Sequence, residues 1–155
     1  MSLNKIIIGF IIILLIFSGF IVFQINKAQP KSKITIDNHD FAVELATTPA
    51  QQQQGLSSRA SLPKNQGMLF IFQTANRYPF WMKDMKFNLD MIFINNNKIV
   101  AIFQNVPTPK NANATLPTYA PSSPANEVLE VTAGTAKVDG FKAGDTVKAT
   151  LDKSN

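Results

Sequence analysis

The spacing of hydrophobic and polar positions divides this chain into two unlike parts. From Ile6 to Ile25, "IIIGFIIILLIFSGFIVFQI" runs for twenty residues without a charge. As a helix it would span about 30 Å, the thickness of a bilayer's hydrocarbon core. The pattern predicts a transmembrane anchor over residues 6–25 behind a short tail, 1–5, with the lipid bilayer as its partner. A cleaved signal peptide is the competing reading. It needs small residues at a processing site, and the exit sequence "FQINKAQPK" offers only Ala28. The polar "NKAQPKSK" (26–33) reads as a tether to a body over residues 34–155.

In the body the period shortens to two. Ile34 and Ile36, then Phe41, Val43 and Leu45, alternate on either side of Asp37-Asn38-His39-Asp40, a hairpin signal because Asn and Asp tolerate the positive φ of tight turns. "TTPAQQQQG" predicts a short helix over Pro49–Gln54: Thr48 caps it, Pro49 suits its first position, Gln51 completes a capping box and Gly55 stops it. "MLFIF" (68–72) is a strand buried on both faces. Phe80–Met85 and Leu89–Ile94 follow as strands, and "NNN" (95–97) turns the second into Lys98–Gln104. Asn105–Asn126 contains five prolines without a period, the signature of a functional cover or a flap. Glu127–Ala133 and Thr146–Leu151 close the chain as strands, with turns at Asp139-Gly140 and Gly144-Asp145. The expected fold is all-β, a β-sandwich or barrel-like domain of about eight strands and one short helix.

Charge and composition narrow the function. The net charge of +5 is mild, and all ten acidic residues lie at Asp37 or later, so the body is close to neutral. Its scattered basic residues form no stripe, which argues against nucleic acid as a partner. Zero cysteines and one histidine leave no basis for Cys–His or Ser–His nucleophilic chemistry, and "DNHD" lacks the spacing of a zinc or calcium site. Neither a metal nor another cofactor is expected. The anchor's short tail favours entry with the N-terminus inside, and long following domains translocate largely regardless of charge. The body of this single-pass protein is therefore expected outside the cytoplasm.

The densest chemistry lies in "PFWMKDMKFNLDMIF" (79–93), which holds the sole tryptophan and two aspartates. On a strand, Trp81 and Lys83 would share a face, close enough for a cation–π contact. Asp90 falls on the side of Ile92 and Ile94, while Leu89, Met91 and Phe93 take the other. A carboxylate buried among apolar residues needs a partner, and the candidates are Arg59, Lys83 and Lys86. Glu130, on the face of Val128 and Thr132, poses the same question. A structural ion pair and a ligand-contacting carboxylate both remain open for these acids.

"GLSSR" (55–59), "GMLFIF" (67–72), "FWMKDMKFNLDMIFI" (80–94), "KIVAI" (98–102), "EVLEVTAG" (127–134) and "GFKAGDTV" (140–147) occur in this order. Together they resemble the bacterial and archaeal family called domain of unknown function 192, over roughly residues 40–150. Asp84 stands where that family usually has Asn, Asn88 where it has Pro, and Ser57 where Met is common. The first departure removes an amide donor and adds a charge. The resemblance implies a compact β fold, often exported or membrane-tethered, with no established activity. By matching position it directs attention to Arg59, Trp81, Lys83, Asp84, Asp90 and Glu130.

The function expected from these residues is binding of a small polar ligand or glycan. A structural domain that contacts other envelope proteins is the alternative. A hydrolase built on paired carboxylates such as Asp84 and Asp90 is the least supported of the three, and no catalytic residue is assigned.

Overall fold

The computed structural model describes residues 32–111 and 116–152. Seven strands and two short helices follow in the order β1 (Ser32–Ile36), β2 (His39–Ala46), α1 (Pro49–Gln54), β3 (Gln66–Asn76), β4 (Leu89–Asn95), β5 (Lys98–Val106), β6 (Ala125–Thr132), α2 (Thr135–Val138) and β7 (Val147–Thr150). The expected anchor over 6–25 lies outside the described residues. Among those described, no helix is long and apolar enough to cross a membrane. The body begins at Ser32, two residues inside the expected tether, because Ser32 and Lys33 already pair with Val43 and Ala42.

All seven strands belong to one sheet in the order β5-β4-β6-β3-β2-β1-β7. Every pairing is antiparallel except β2 with β3, which are parallel and joined through α1. The sheet curls into a half-barrel whose edges meet at one end. There Lys98 bridges Thr146, and the Ile99 and Val147 amides donate to Asp145 and Asn97 carbonyls at 3.0 and 2.9 Å.

Local chemistry accounts for the boundaries. Asp37 and Asn38 (φ 44° and 67°), then Asn96 and Asn97 (φ 49° and 60°), make the two tight hairpin turns, as Asn and Asp at consecutive positive-φ positions favour. α1 has its full capping box, with Thr48 accepting from the Gln51 amide and the Gln51 side chain accepting from the Thr48 amide. The Gln52 amide group then donates to the carbonyls of Ala46 (3.3 Å) and Ile71 (2.8 Å), fixing α1 to the end of β2 and the middle of β3.

The two faces of the sheet carry separate cores. Side chains from all seven strands gather on the inner face, among them Ile34, Phe41, Leu69, Ile92, Ile99, Leu129 and Val147. The outer face is built mainly on β3, β4 and β6, through Met68, Phe70, Met91, Phe93 and Val128. Outside elements cover it: α1 with the loop after it, and residues 77–88.

Two expectations are corrected. Phe80–Met85 is not a strand: among the described residues the only pairing there is Phe80 with Tyr119, by amide–carbonyl bonds of 2.9 and 2.8 Å. Asp84 has φ 57°, and the Met85 amide turns back to the Met82 carbonyl at 3.2 Å. The alternation of Phe80 and Met82 records two anchors dropped onto the outer core, not a ladder, so the same-face argument for Trp81 and Lys83 lapses. The second correction is the inventory: one sheet of seven strands with two short helices stands where a sandwich or barrel of about eight strands and one helix was expected, and α2 is the helix that was not predicted. The proline-rich stretch is shorter than its sequence range, since β5 continues to Val106 and β6 begins at Ala125. Two of its described residues meet residues 77–88: Tyr119 pairs with Phe80, and Asn88 accepts from the Thr108 amide at 3.0 Å. A proline at position 88 would have no side-chain acceptor for that bond.

Candidate functional site

Asp90 is fully buried, at 0% exposure. It sits at the end of the inner core, beside Ile92 and Ile94, as the alternation predicts. The expected cation is absent from its surroundings. Instead Oδ1 accepts from the amides of Asn105 (2.7 Å) and Gly134 (3.1 Å), and Oδ2 accepts from that of Ala136 (2.8 Å). Three backbone donors satisfy the carboxylate where a salt bridge was expected, two of them from the start of α2. Asp90 ties β4 to the end of β5 and to the turn after β6.

The three candidate cations are elsewhere. Arg59 forms a bidentate pair with Glu44, both N–O distances 2.6 Å. That hydrogen bonding holds the Glu44 carboxyl below its usual range and raises the Arg59 guanidinium. Lys83 and Lys86 are exposed.

Glu130 is the other buried acid, at 5% exposure, and its setting is the opposite. It lies on the outer face between Met68 of β3 and Met91 of β4. Among the described residues no hydrogen bond or ion pair reaches its carboxyl. Burial alone pushes its pKa up to about 8, so at neutral pH it is mainly protonated.

Glu130 faces a cavity of about 350 Å³, within the range of small-molecule sites. One wall is aromatic: Phe70 and Phe72 from β3, with Tyr78, Phe80 and Trp81 from the covering segment. Phe72 and Tyr78 stack at 3.8 Å, and Phe80 meets Phe70 edge-on at 5.0 Å. Gln52–Gly55 of α1 and its cap complete the lining beside Phe70, and the exposed Lys83 and Asp84 belong to it as well. Trp81 is 53% exposed, one of two large hydrophobic side chains so exposed among the described residues.

Of the six residues singled out from sequence, Trp81, Lys83, Asp84 and Glu130 line this one cavity, whereas Arg59 and Asp90 do not. The Asn-to-Asp departure at position 84 falls where the backbone is left-handed, a conformation both residues tolerate better than others. Sequence reasoning missed the aromatic wall and the glutamines. Phe70 and Phe72 read as sheet interior, and the glutamines read only as a helix. Among the described residues, no group of acidic and histidine side chains could hold a metal ion.

A curled, almost wholly antiparallel sheet with a covered outer face and a pocket on that side defines the class of this domain. The chain belongs to the family described as uncharacterized ACR, the domain of unknown function 192, which matches residues 32–149. Two solved structures are similar. One, from Sinorhizobium meliloti 1021, is described provisionally as a transcription regulator. It is 32% identical with a TM-score of 0.65, and the match covers 76% of this chain and 91% of that one. The other, a protein of unknown function from Novosphingobium aromaticivorans DSM 12444, is 31% identical with a TM-score of 0.65, covering 76% and 82%. No curated protein matches the chain.

Proposed function

We propose that this domain is a binding module for a small polar ligand, glycans included, held in the outer-face cavity. The observation that carries this reading is Glu130, an acid without a partner at the floor of a preformed cavity. Taking a carboxyl out of bulk water without a protein hydrogen bond costs free energy, and the Glu130 oxygens keep contact only with the cavity. A ligand that bonds to the carboxyl offsets that cost on arrival. Trp81 at the mouth supplies exposed aromatic surface, a feature typical of binding sites.

Trp81 is the chain's sole tryptophan, so its emission reports on the site directly. A panel of small metabolites and sugars is titrated while fluorescence and melting temperature are followed. A binder shifts the emission to the blue and raises the melting temperature, and Trp81→Ala and Glu130→Gln weaken it. A panel without any response counts against the reading. The competing proposal, an interaction domain of the envelope, draws on the same exposed tryptophan, because such residues anchor protein interfaces.

The module is further proposed to stand outside the cytoplasm, tethered by residues 6–25. The uncharged run in the sequence supports this. Protease treatment of intact cells tests it: a protected body contradicts it.

A further inference from the structure

The cavity's chemistry specifies more than a small polar ligand. We infer, building on the binding reading above, that the ligand presents a protonated amine, which sits on the Glu130 carboxylate against the aromatic wall.

The groups that face Glu130 are few. Its cross-strand neighbours on β3 and β4 are Met68 and Met91, and α1 contributes only glutamines to the cavity. The covering segment brings Tyr78, Lys83 and Asp84. Farther along the same face, the Arg59–Glu44 pair is self-neutralised beyond Met68. With Glu130 ionised, the cavity therefore holds two carboxylates against one exposed ammonium. An anionic ligand meets a net negative site once Glu130 ionises, and with Glu130 protonated it finds no net positive charge to hold it, since Lys83 is offset by Asp84. A neutral ligand gains one hydrogen bond from the acid. A cation gains the buried carboxylate and the exposed aromatic surface of Trp81, which lines the same cavity, the pairing by which aromatic pockets recognise ammonium groups. The rings cannot serve an anion in this way, because their faces repel it.

Such recognition transfers a proton. Glu130 is mainly protonated in the empty site, its pKa raised to about 8, and a cation bound against it favours the carboxylate. Binding at neutral pH then releases the Glu130 proton to solvent while the amine keeps its own. This linkage distinguishes an amine from every neutral occupant.

The test is calorimetric titration of the full chain with benzylamine, benzyl alcohol and benzoate, which share a ring and differ in charge. Titrations at pH 7 in phosphate and in Tris give the proton count. The expected result is binding of benzylamine alone, with close to one proton released. Its affinity should rise about tenfold per pH unit from pH 6 to 7 and level off above pH 8. Glu130→Gln, checked for folding by its melting curve, should weaken binding and flatten the pH profile. Trp81→Ala should weaken binding and leave that profile in place. Benzyl alcohol bound as tightly as benzylamine, without proton release, overturns the amine assignment but leaves the binding module standing. Preferred binding of benzoate overturns it in the same way. Silence from all three probes overturns the amine assignment, while the binding reading falls only if the wider panel of metabolites and sugars is silent as well.

Discussion

Asp90 and Glu130 lie on neighbouring strands one step out of register, Asp90 opposite Val131 and Glu130 opposite Met91, so they project from opposite faces of one sheet. Both are buried acids. One is closed off by three backbone amides, and the other opens without a partner onto a cavity. The first organises the fold, and the second is available to a ligand. Each consequence can be measured.

Asp90→Asn should destabilise the domain on the order of 3 kcal/mol. The amide nitrogen of Asn would turn a donor toward at least one backbone N–H that now needs an acceptor. Urea unfolding should show a lower midpoint with an unchanged slope. Ligand binding by the folded fraction should be unaffected, because Asp90 does not line the cavity. An unchanged midpoint would deny Asp90 its structural role.

Glu130→Gln should change the pH dependence of stability in a defined direction. Burial raises this acid from its ordinary value of 4.5 to about 8, so between those values the folded state holds a proton that the unfolded state has released. Stability from this group therefore falls as pH rises, and the penalty is fully present above the folded value. Gln cannot ionise. The variant's advantage over the wild type should be small near pH 4.5, grow by about 1.4 kcal/mol per pH unit, and level off near pH 8. Melting curves of the pair across pH 4.5 to 9 check both slope and sign.

Gly67→Ala should cost about 1–3 kcal/mol. A Cβ at position 67 would come within 2.7 Å of the Glu130 carbonyl oxygen and 3.0 Å of Leu129 Cδ1. Backbone cannot yield as a flexible side chain does, so β3 and β6 must separate locally. Because β6 carries Glu130, the same substitution should also perturb the cavity, seen as a change in Trp81 emission.

Arg59→Met should cost at most about 1 kcal/mol, since its pair with Glu44 is partly exposed. Chemical denaturation measures that cost. Ligand affinity should stay unchanged, as Arg59 is outside the cavity.

Much of the fold was legible in the chain because its signals are local. Thr48, Gln51 and Gly55 mark both ends of α1 from four-residue chemistry, and Asp37-Asn38 and Asn96-Asn97 place the turns without tertiary help. Alternation assigned Asp90 and Glu130 to their faces correctly. It failed at Phe80–Met85, where a period of two came from residues dipping onto a sheet face, and nothing local distinguishes that from a paired strand. The partner of Asp90 was illegible for a related reason. A cation is visible as a residue type, but the amides of Asn105, Gly134 and Ala136 are donors that any sequence supplies, and only the turn geometry aims them. The cavity's aromatic wall was hidden in the same way, since Phe70 and Tyr78 become neighbours only when the 77–88 segment folds back.

The direct measurement is the titration of the Glu130 side-chain carboxyl carbon by NMR in the ligand-free protein, assigned by comparison with Glu130→Gln. A midpoint near pH 8 is the predicted result, that of an acid enclosed without a partner. A midpoint near the ordinary glutamate value would mean that water or a cation already serves this group, and would contradict the account.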